Sequence, residues 1–320
     1  MTSPHPYDEA PELDLSVVVV SFNTRQLTLE ALTSICKHTQ SMSYELIVID
    51  NNSSDDSADA IAREFPQATL IRNDANKGFS AAANAGFRIC KGRYVVLFNS
   101  DAQLIENSFK KMKEFLDGYP DGFILSPQII DGNDRPVPMR LWDITPFDSI
   151  LKIIGRYSVA EEAKRMGPPL TRTVKAVGGS CLMMRRDLFA SIGLMDEQFF
   201  LYNEEDDLCR RARKRGHKIF YYPETSVRHL HSQSASRPQS RALVICKAYQ
   251  SDLRFFKKYY SLFWNLLLRL AYKTVFTLAV VKSTFRRIRG IPCSGADDSA
   301  RLKMRLLMIC ASEMVRRNDP

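Results

Sequence analysis

The chain has 320 residues, of which 45% are hydrophobic and 25% charged, and its formal net charge is +9. These proportions are typical of a globular protein, and the length allows one large domain with an appendage. Seven scattered cysteines contain no C-x-x-C pair. That pattern favours free thiols in a reducing cytoplasm over a disulfide framework or a zinc site.

The positive charge is concentrated in one C-terminal segment. Nine of the 45 basic residues lie between positions 253 and 290, where there is no acid, and the remaining 36 equal the 36 acidic residues. A nucleic-acid-binding protein can carry such a segment. This one is also rich in Phe, Tyr, Leu and Val and contains Trp264. We therefore expect an anionic membrane surface as its partner, and no nucleic acid.

The first 130 residues predict alternating strands and helices. Residues 1–13 lack the basic and apolar runs of a secretory signal and are interpreted as a disordered lead. The predicted strands are 15–20, 46–49, 68–71, 94–98 and 123–130, and the predicted helices between them are 27–35, 58–65, 78–90 and 106–116. This alternation indicates an α/β fold with a mostly parallel sheet between two layers of helices.

Three of the predicted strands end in polar clusters, at residues 21–23, 50–52 and 99–101. The carboxyl ends of parallel strands meet at one edge of a sheet, where ligands bind. A carboxylate such as Asp101 can hold a divalent cation beside a phosphate group. An aspartate after a strand is equally typical of a helix cap, and residues 50–55 are also typical of a loop.

Residues 131–172 are rich in proline, have little periodicity and include Trp142. A long irregular insertion in a compact domain is more often functional than idle, so we interpret it as loops on the acceptor side of a site.

Four consecutive acids, 204–207, follow an aromatic cluster and begin a predicted helix that ends at Gly216. Like charges repel one another there, and the helix N-terminus offsets part of that cost. A solvated face is the ordinary interpretation of such a cluster. The aromatic residues before it and the basic residues after it favour the edge of a pocket. A predicted strand at 218–222, His229 and His231 follow.

The order of these motifs resembles that of the bacterial family 2 glycosyltransferases, in particular the rhamnosyltransferase-like branch that builds cell-surface polysaccharides. The resemblance covers residues 14 to 260, and the matching positions are 21–23, 49–55, 76–86, 99–101, 178–179, 185–186, 193–197, 199–202, 204–208, His229 and Ser234. The chain departs from the family pattern at Asn99, where a two-aspartate motif has its first acid, and at Asp206, where an apolar residue is usual.

The resemblance implies a GT-A fold and an inverting transfer from a nucleotide-sugar donor, with Mg²⁺ or Mn²⁺ as cofactor. It implies a saccharide acceptor, lipid-linked and at the inner membrane face, and dTDP-rhamnose as a candidate donor. The donor-binding residues would be Ser21, Asn23, Asp50, Arg72, Asn76, Gly78, Phe79, Asn84, Asn99 and Asp101. The acceptor-binding residues would be Trp142, Gly178, Gly179 and Tyr202, and the metal ligands Asp101 and His229.

The resemblance also implies that the acidic box supplies the general base, because an acceptor hydroxyl must lose its proton as the new bond forms. Glu205 has the position of the family's base, although most relatives have Asp there. Asp207 and Glu204 are the alternatives, since they lie three residues apart on one helical face.

The predicted organisation is a lead at 1–13, a glycosyltransferase domain at 14–252 with a donor half (14–130) and an acceptor half (131–252), and a basic helical segment at 253–320. Residues 262–281 are long enough to span a bilayer. However, Asn265, Arg269, Lys273 and Thr277 recur every four residues. We expect this helix to lie flat on the inner membrane face with that polar stripe in water, so that the protein is cytoplasmic and peripherally attached. A helix packed on the catalytic domain is the alternative.

Other functions fit less well. A processive polysaccharide synthase has a Q-x-x-R-W motif, and neither Trp142 nor Trp264 follows an arginine. A nicotinamide dehydrogenase would have G-x-G-x-x-G after its first strand, where this chain has Ser-Phe-Asn. A non-catalytic sugar- or membrane-binding protein is the alternative from another class, and the complete acidic box argues against it.

Overall fold

The computed structural model describes residues 7, 10–165, 167–230 and 238–288. Most of the predicted lead, His231, Ser234 and residues 289–320 of the basic segment lie outside the described residues. The chain divides into two compact units. Unit 1 contains residues 1–143, 159–200 and 204–234, and unit 2 contains residues 144–158, 201–203 and 235–320.

Unit 1 is built on one sheet. Its strands are β1 (Leu13–Ser21), β2 (Tyr44–Asp50), β3 (Thr69–Arg72), β4 (Gly92–Asn99), β5 (Ala102–Leu104), β6 (Gly122–Ile130), β7 (Arg172–Val174), β8 (Cys181–Arg185) and β9 (Lys218–His229). Its helices are α1 (Arg25–His38), α2 (Ser57–Glu64), α3 (Phe79–Phe87), α4 (Ser108–Asp117), α6 (Val159–Arg165), α7 (Phe189–Ile192) and α8 (Glu204–Lys214). Unit 2 contains α5 (Pro146–Ile153), α9 (Pro238–Tyr259) and α10 (Leu262–Ile288). The predicted boundary between residues 252 and 253 falls inside α9.

The strand order is β3-β2-β1-β4-β8-β6-β9-β5, and β7 pairs with β9. The predicted first half is parallel: β1 pairs with β2 and β4, and β2 pairs with β3. Strands β5 and β7, which the sequence did not predict, and strand β8 run antiparallel to their neighbours. The α/β class is therefore confirmed, with a mixed sheet.

Helices cover both faces of this sheet, as predicted. Along β1, Val18 and Val20 pack on the side of α3, α7 and α8. Val17 and Val19 pack on the other side, with α1, α2 and α4. Burial on both faces explains why β1 is a continuous apolar run instead of an alternating one.

The prediction that residues 131–172 are irregular was wrong in part, because α5 and α6 lie within them. Helix α5 begins with a capping box in which Thr145 and Asp148 bond to each other's backbone, and Pro146 lies in its first turn. Proline is favoured at that position because its missing N–H is not needed there. The proline that suggested a loop is thus a helix-start signal.

The predicted orientation of the α10 polar stripe was also wrong. Asn265 and Arg269 are buried in unit 2, and Arg269 Nε donates to Asn265 Oδ1 at 2.6 Å. On the same helix the exposed large apolar side chains include Leu262, Phe263 and Leu270, each more than 60% exposed. Two of the four polar residues therefore face the interior of the unit, where they have partners. A four-residue period predicts that the four polar residues lie on one side of the helix. It does not predict whether that side faces solvent or the interior of the unit.

Candidate active site

The three polar clusters meet at one edge of the sheet, because the strands before them are neighbours. The register places Ser21 opposite Asp50, and Val20 opposite Asn99. Hydroxyl groups of Ser21, Thr24 and Thr28 bond to one another, and Thr24 also donates to Ser100 at 3.2 Å. Ser21 therefore stabilises this edge from inside the fold.

The two oxygens of the buried Asp50 carboxylate differ in their hydrogen bonding. Its Oδ2 accepts from the Ser53 backbone N–H at 3.0 Å. Its Oδ1 is buried and has no hydrogen-bond partner within the described part of the chain. A buried acceptor without a donor costs free energy, so this oxygen suits an N–H of a bound base.

Asn51 organises the loop that follows β3, a role that sequence analysis missed. Its Nδ2 donates to Asn76 Oδ1 at 3.0 Å and to the Gly78 carbonyl at 3.2 Å. Its Oδ1 accepts from Asn73 Nδ2 at 2.9 Å and from the Lys77 N–H at 3.1 Å. Asn76 is thus fixed in the loop frame beside the strand edge. The sequence feature that could have revealed this role is the position of Asn51, directly after Asp50 at the end of a buried strand.

Asn23 joins two loops at this edge. It adopts a positive φ of 54°, and its Oδ1 accepts from the Ser54 N–H at 2.7 Å. The Arg72 backbone lies opposite Asp50 in the sheet register, but its side chain is engaged with α2: its Nη1 pairs with Asp59 Oδ1 at 2.7 Å, and both side chains are exposed.

Gly78 is required where the donor-side loop meets the segment before α8. Its φ is +85°, and a Cβ there would lie 2.7 Å from the Phe200 ring. The Phe79 N–H donates to the Phe200 carbonyl at 2.7 Å, and the Phe79 ring packs against the core. This contact holds the loop against the segment that carries the aromatic cluster.

The buried side chain of Asn84 bonds to the segment before α8, and its donor contact stays a prediction. It is 1% exposed. Its Nδ2 donates to the Met195 carbonyl at 2.8 Å and to Glu197 Oε1 at 2.9 Å, and its Oδ1 accepts from the Met195 N–H at 3.0 Å. The amide is fully used in anchoring the segment that precedes α8.

Asp101 and His229 are brought together although 128 positions separate them, because β5 pairs with β9. Asp101 Oδ1 lies 2.9 Å from His229 Nε2, and both side chains are about nine-tenths buried. Asn99 Nδ2 and Ser180 Oγ each lie 3.4 Å from the imidazole. A carboxylate oxygen and an imidazole nitrogen are suitable Mn²⁺ ligands.

This pair fits a cation that is shared with a phosphate ligand. In the described residues no group of three or more His, Cys, Asp or Glu side chains could hold a metal alone. A divalent ion beside a diphosphate needs only one or two protein carboxylates, since phosphate oxygens and water complete its shell.

The four acids of α8 have different environments. Asp207 is fully buried, and its Oδ2 accepts from Arg211 Nε at 2.7 Å. The Arg211 guanidinium also donates to the carbonyls of Ile192 and Leu194, each at 2.6 Å. Asp206 pairs with Arg140. Both aspartates therefore act as counterions inside the fold.

Glu204 and Glu205 are neighbouring carboxyl groups, and Oε2 of each is buried with no hydrogen-bond partner among the described residues. Burial, and then the Glu205 charge, raise the pKa of Glu204 well above its usual range. Burial, and then the Asp206 charge, raise the pKa of Glu205 to about 7. A base with a pKa near the working pH is well matched to proton abstraction.

Glu205 faces the glycine pair. A Cβ on Gly179 would have the Glu205 carboxyl carbon as its nearest neighbour, at 4.0 Å, and a Cβ on Gly178 would meet nothing within 4 Å. The two glycines thus leave open space beside Glu205, a partly buried residue whose Oε2 is itself buried. Trp142 is partly buried against the core of unit 1, and its carbonyl accepts from Arg140 Nη1 at 2.6 Å. Tyr202 belongs to unit 2 and is 41% exposed. The acceptor roles of these four residues stay predictions.

Residues 16–193 match the family model described as glycosyl transferase family 2, so the chain belongs to that family. Among its relatives is an N-acetylglucosaminyl-diphospho-decaprenol L-rhamnosyltransferase of Mycobacterium tuberculosis, 26% identical over 86% of this chain and 95% of the relative. The low-salt glycan biosynthesis hexosyltransferase Agl10 of Haloferax volcanii is 24% identical over 63% and 62% of the two chains.

Solved glycosyltransferases share the fold. The mannosyltransferase PcManGT of Pyrobaculum calidifontis, in complex with GDP-Man and Mn²⁺, aligns with a TM-score of 0.54 at 15% identity and covers 98% of this chain and 92% of that one. GalNAc-T7, with UDP, GalNAc and Mn²⁺, has a TM-score of 0.53 at 16% identity and covers 76% and 50%. At such identities the likeness shows the fold alone, and it confirms the predicted GT-A architecture.

Proposed function

We propose that this protein is an inverting, metal-dependent glycosyltransferase that moves rhamnose from a nucleotide-sugar donor to a hydroxyl of a lipid-linked saccharide. The observation that carries the proposal is Glu205, a carboxylate with a pKa of about 7 that faces open space at Gly178 and Gly179. The name of the mycobacterial relative supports rhamnose and a diphospholipid acceptor. Residues 14–130 would bind the donor and 131–252 the acceptor.

The donor would bind at the strand edge. Asp50 Oδ1 accepts an N–H of the base, and Ser21, Asn23, Asn76 and Gly78 shape the surrounding loops. Asp101 and His229 would hold a divalent cation, Mg²⁺ or Mn²⁺, which supplies charge neutralisation for the diphosphate leaving group. Without that neutralisation a diphosphate is a poor leaving group.

The transfer is a single displacement. Glu205 takes the proton of the acceptor hydroxyl as its oxygen attacks the anomeric carbon of the donor sugar. The bond from that carbon to the diphosphate oxygen breaks, and the nucleoside diphosphate leaves with the electron pair. Because the attacking and leaving oxygens lie on opposite faces of the sugar, the anomeric configuration inverts.

We also propose that the protein is cytoplasmic and attaches to the inner membrane face through α10. The stretch Leu262–Lys282 is long and apolar enough to cross a membrane. Its exposed apolar side chains lie on one side of the helix and include Leu262, Leu266, Leu270 and Leu278. Burial of such side chains in the membrane interface supports attachment, and the basic residues Lys257 and Lys258 favour anionic lipid.

The donor is tested by thermal shift of the full chain with dTDP-rhamnose, UDP-GlcNAc and GDP-mannose, each with Mn²⁺ and with EDTA. We expect dTDP-rhamnose to raise the Tm most, and only with Mn²⁺. Asp50→Asn, whose amide presents a different hydrogen-bonding pattern to the base, should reduce that rise. No shift with any donor would contradict the proposal, and binding without transfer or hydrolysis would favour a non-catalytic sugar-binding protein.

A further inference from the structure

A groove of about 320 Å³ lies in unit 1 between the segment that follows β6, helix α6 and the sheet. This volume is at the lower end of the range for small-molecule sites. Its walls are mostly apolar and include Val137, Met139, Leu141, Ala163 and Pro169. None of these residues has a part in the proposed transfer, so the groove needs its own explanation.

Two polar side chains of the groove, Tyr221 and Gln128, are paired with each other. The Tyr221 hydroxyl donates to Gln128 Oε1, and both side chains are more than nine-tenths buried. A sugar or nucleotide in the groove would therefore meet few hydrogen-bonding groups, at a desolvation cost for its hydroxyls. A hydrocarbon chain has no hydrogen bonds to water to lose, and burial of its apolar surface favours binding.

Two basic side chains, Lys164 and Arg172, also line the groove. A hydrocarbon ligand with an anionic headgroup matches this combination of an apolar wall and adjacent cations. We propose that the groove binds the isoprenoid chain of the acceptor lipid next to its diphosphate, with Lys164 and Arg172 beside the phosphates. This inference rests on the proposed function for the kind of acceptor.

The segment that lines one wall of the groove also carries the arginine that pairs with the acidic helix. Leu141 lines the groove, and its carbonyl accepts from the Lys175 N–H at 3.0 Å. The preceding residue, Arg140, pairs with Asp206, the neighbour of Glu205. A lipid held in the groove would present the sugar on its diphosphate toward the acidic helix. The groove thereby selects a lipid-linked acceptor over a free saccharide.

The test measures binding of farnesyl diphosphate, farnesol and inorganic diphosphate to the full chain in EDTA, so that no divalent cation carries the phosphates. Ala163→Phe fills the groove, and we expect it to weaken farnesyl diphosphate binding by about tenfold or more. Ala62→Phe, on the exposed side of α2, is the matched control and should leave binding unchanged. Lys164→Gln should weaken farnesyl diphosphate about fivefold and leave farnesol unaffected.

Equal affinity of wild type, Ala163→Phe and Ala62→Phe for farnesyl diphosphate would overturn the proposal, since the lipid would then bind elsewhere, for example at the exposed face of α10. Inorganic diphosphate binding as tightly as farnesyl diphosphate would overturn it as well. The melting temperature of Ala163→Phe shows that the variant is folded. Because this binding needs neither donor nor sugar transfer, its failure is distinguishable from failure of the proposed function.

Discussion

At the scale of single residues, four adjacent acids have three different roles. Asp206 and Asp207 each have an arginine partner. Burial raises the pKa of Glu204 well above its usual range, while Glu205 is only partly buried and its pKa is raised to about 7. The sequence identified the acidic box and favoured Glu205, but it could not rank the alternatives physically. Arg140 and Arg211 pair with the two aspartates, which leaves the glutamates as candidates for the base.

The raised pKa of Glu205 predicts the pH dependence of transfer. Only the ionised carboxylate accepts a proton, and its protonated fraction increases as pH falls through about 7. We expect kcat/KM to decrease about tenfold per pH unit below that value and to level off above it. A pH–rate profile from pH 5 to 9 measures this. Full activity at pH 5 would mean that the base is another group.

Arg140 should tune this base through its pairing with Asp206. The Arg140 charge lowers the pKa of Glu205, so Arg140→Gln should move the acidic limb of the pH–rate profile to higher pH. Arg213→Gln is the control, because Arg213 makes a similar pair with Asp143 on the same loop. A loss of activity without a shifted limb would indicate a purely structural role for Arg140.

Asp101 is predicted to be indispensable for metal-dependent donor binding. Its carboxylate lies against His229, where no other carboxylate of the described residues joins it. Asp101→Ala should remove the Mn²⁺ dependence of dTDP-rhamnose binding and reduce transfer by on the order of 10² or more. Calorimetry with and without Mn²⁺ checks this. Asp59→Ala, which removes an exposed carboxylate, is the control; wild-type behaviour of Asp101→Ala would refute the assignment.

At the scale of elements, the contact between Gly78 and Phe200 ties the donor-side loop to the segment before α8. Gly78→Ala adds a Cβ 2.7 Å from the Phe200 ring at a φ of +85°. We expect it to lower the free energy of unfolding by about 1–3 kcal/mol. Urea unfolding measures the loss.

Gly118→Ala is the control for this prediction, because Gly118 has a negative φ and the nearest atom to its added Cβ is 3.4 Å away. We expect a change of only a few tenths of a kcal/mol there. Equal losses in the free energy of unfolding of the two variants would mean that the structure around Gly78 accommodates the added Cβ at little cost.

The elements that could be predicted are those with strong local patterns. Strands β1, β2 and β4 are apolar runs bounded by polar turns, and the structure extends each by only a few residues. Strands β5 and β7 have three residues each, too few for a periodicity, and they exist through pairing with β9. The motif that contains Asn84 does not reveal that its side chain bonds to the backbone of Met195, because the two residues are far apart in sequence.

For the whole molecule, we expect peripheral membrane attachment. The protein should pellet with anionic vesicles and be released by high salt or alkaline carbonate. Leu262→Ser combined with Leu270→Ser should weaken vesicle binding strongly, because each exposed leucine gains about 1.5–3 kcal/mol on full burial. Leu170→Ser, at an exposed leucine of unit 1, is the control.

Resistance of the bound protein to both salt and carbonate would mean that α10 spans the membrane. No binding to vesicles would mean that the exposed side of α10 has another partner. The sequence predicted a membrane-active segment from its charge and aromatic content. It failed on the orientation, because the burial of Asn265 and Arg269 depends on contacts within unit 2 that no local pattern reveals.

The proposed function depends on Glu205 as the base of a sugar transfer. The most direct measurement is the rate of rhamnose transfer from dTDP-rhamnose to N-acetylglucosaminyl-diphospho-lipid with Mn²⁺, by wild type and Glu205→Gln. We predict that wild type transfers and that the variant keeps its donor affinity but loses on the order of 10² or more in kcat. Wild-type kcat in Glu205→Gln, with the loss in Asp207→Asn instead, would contradict the account.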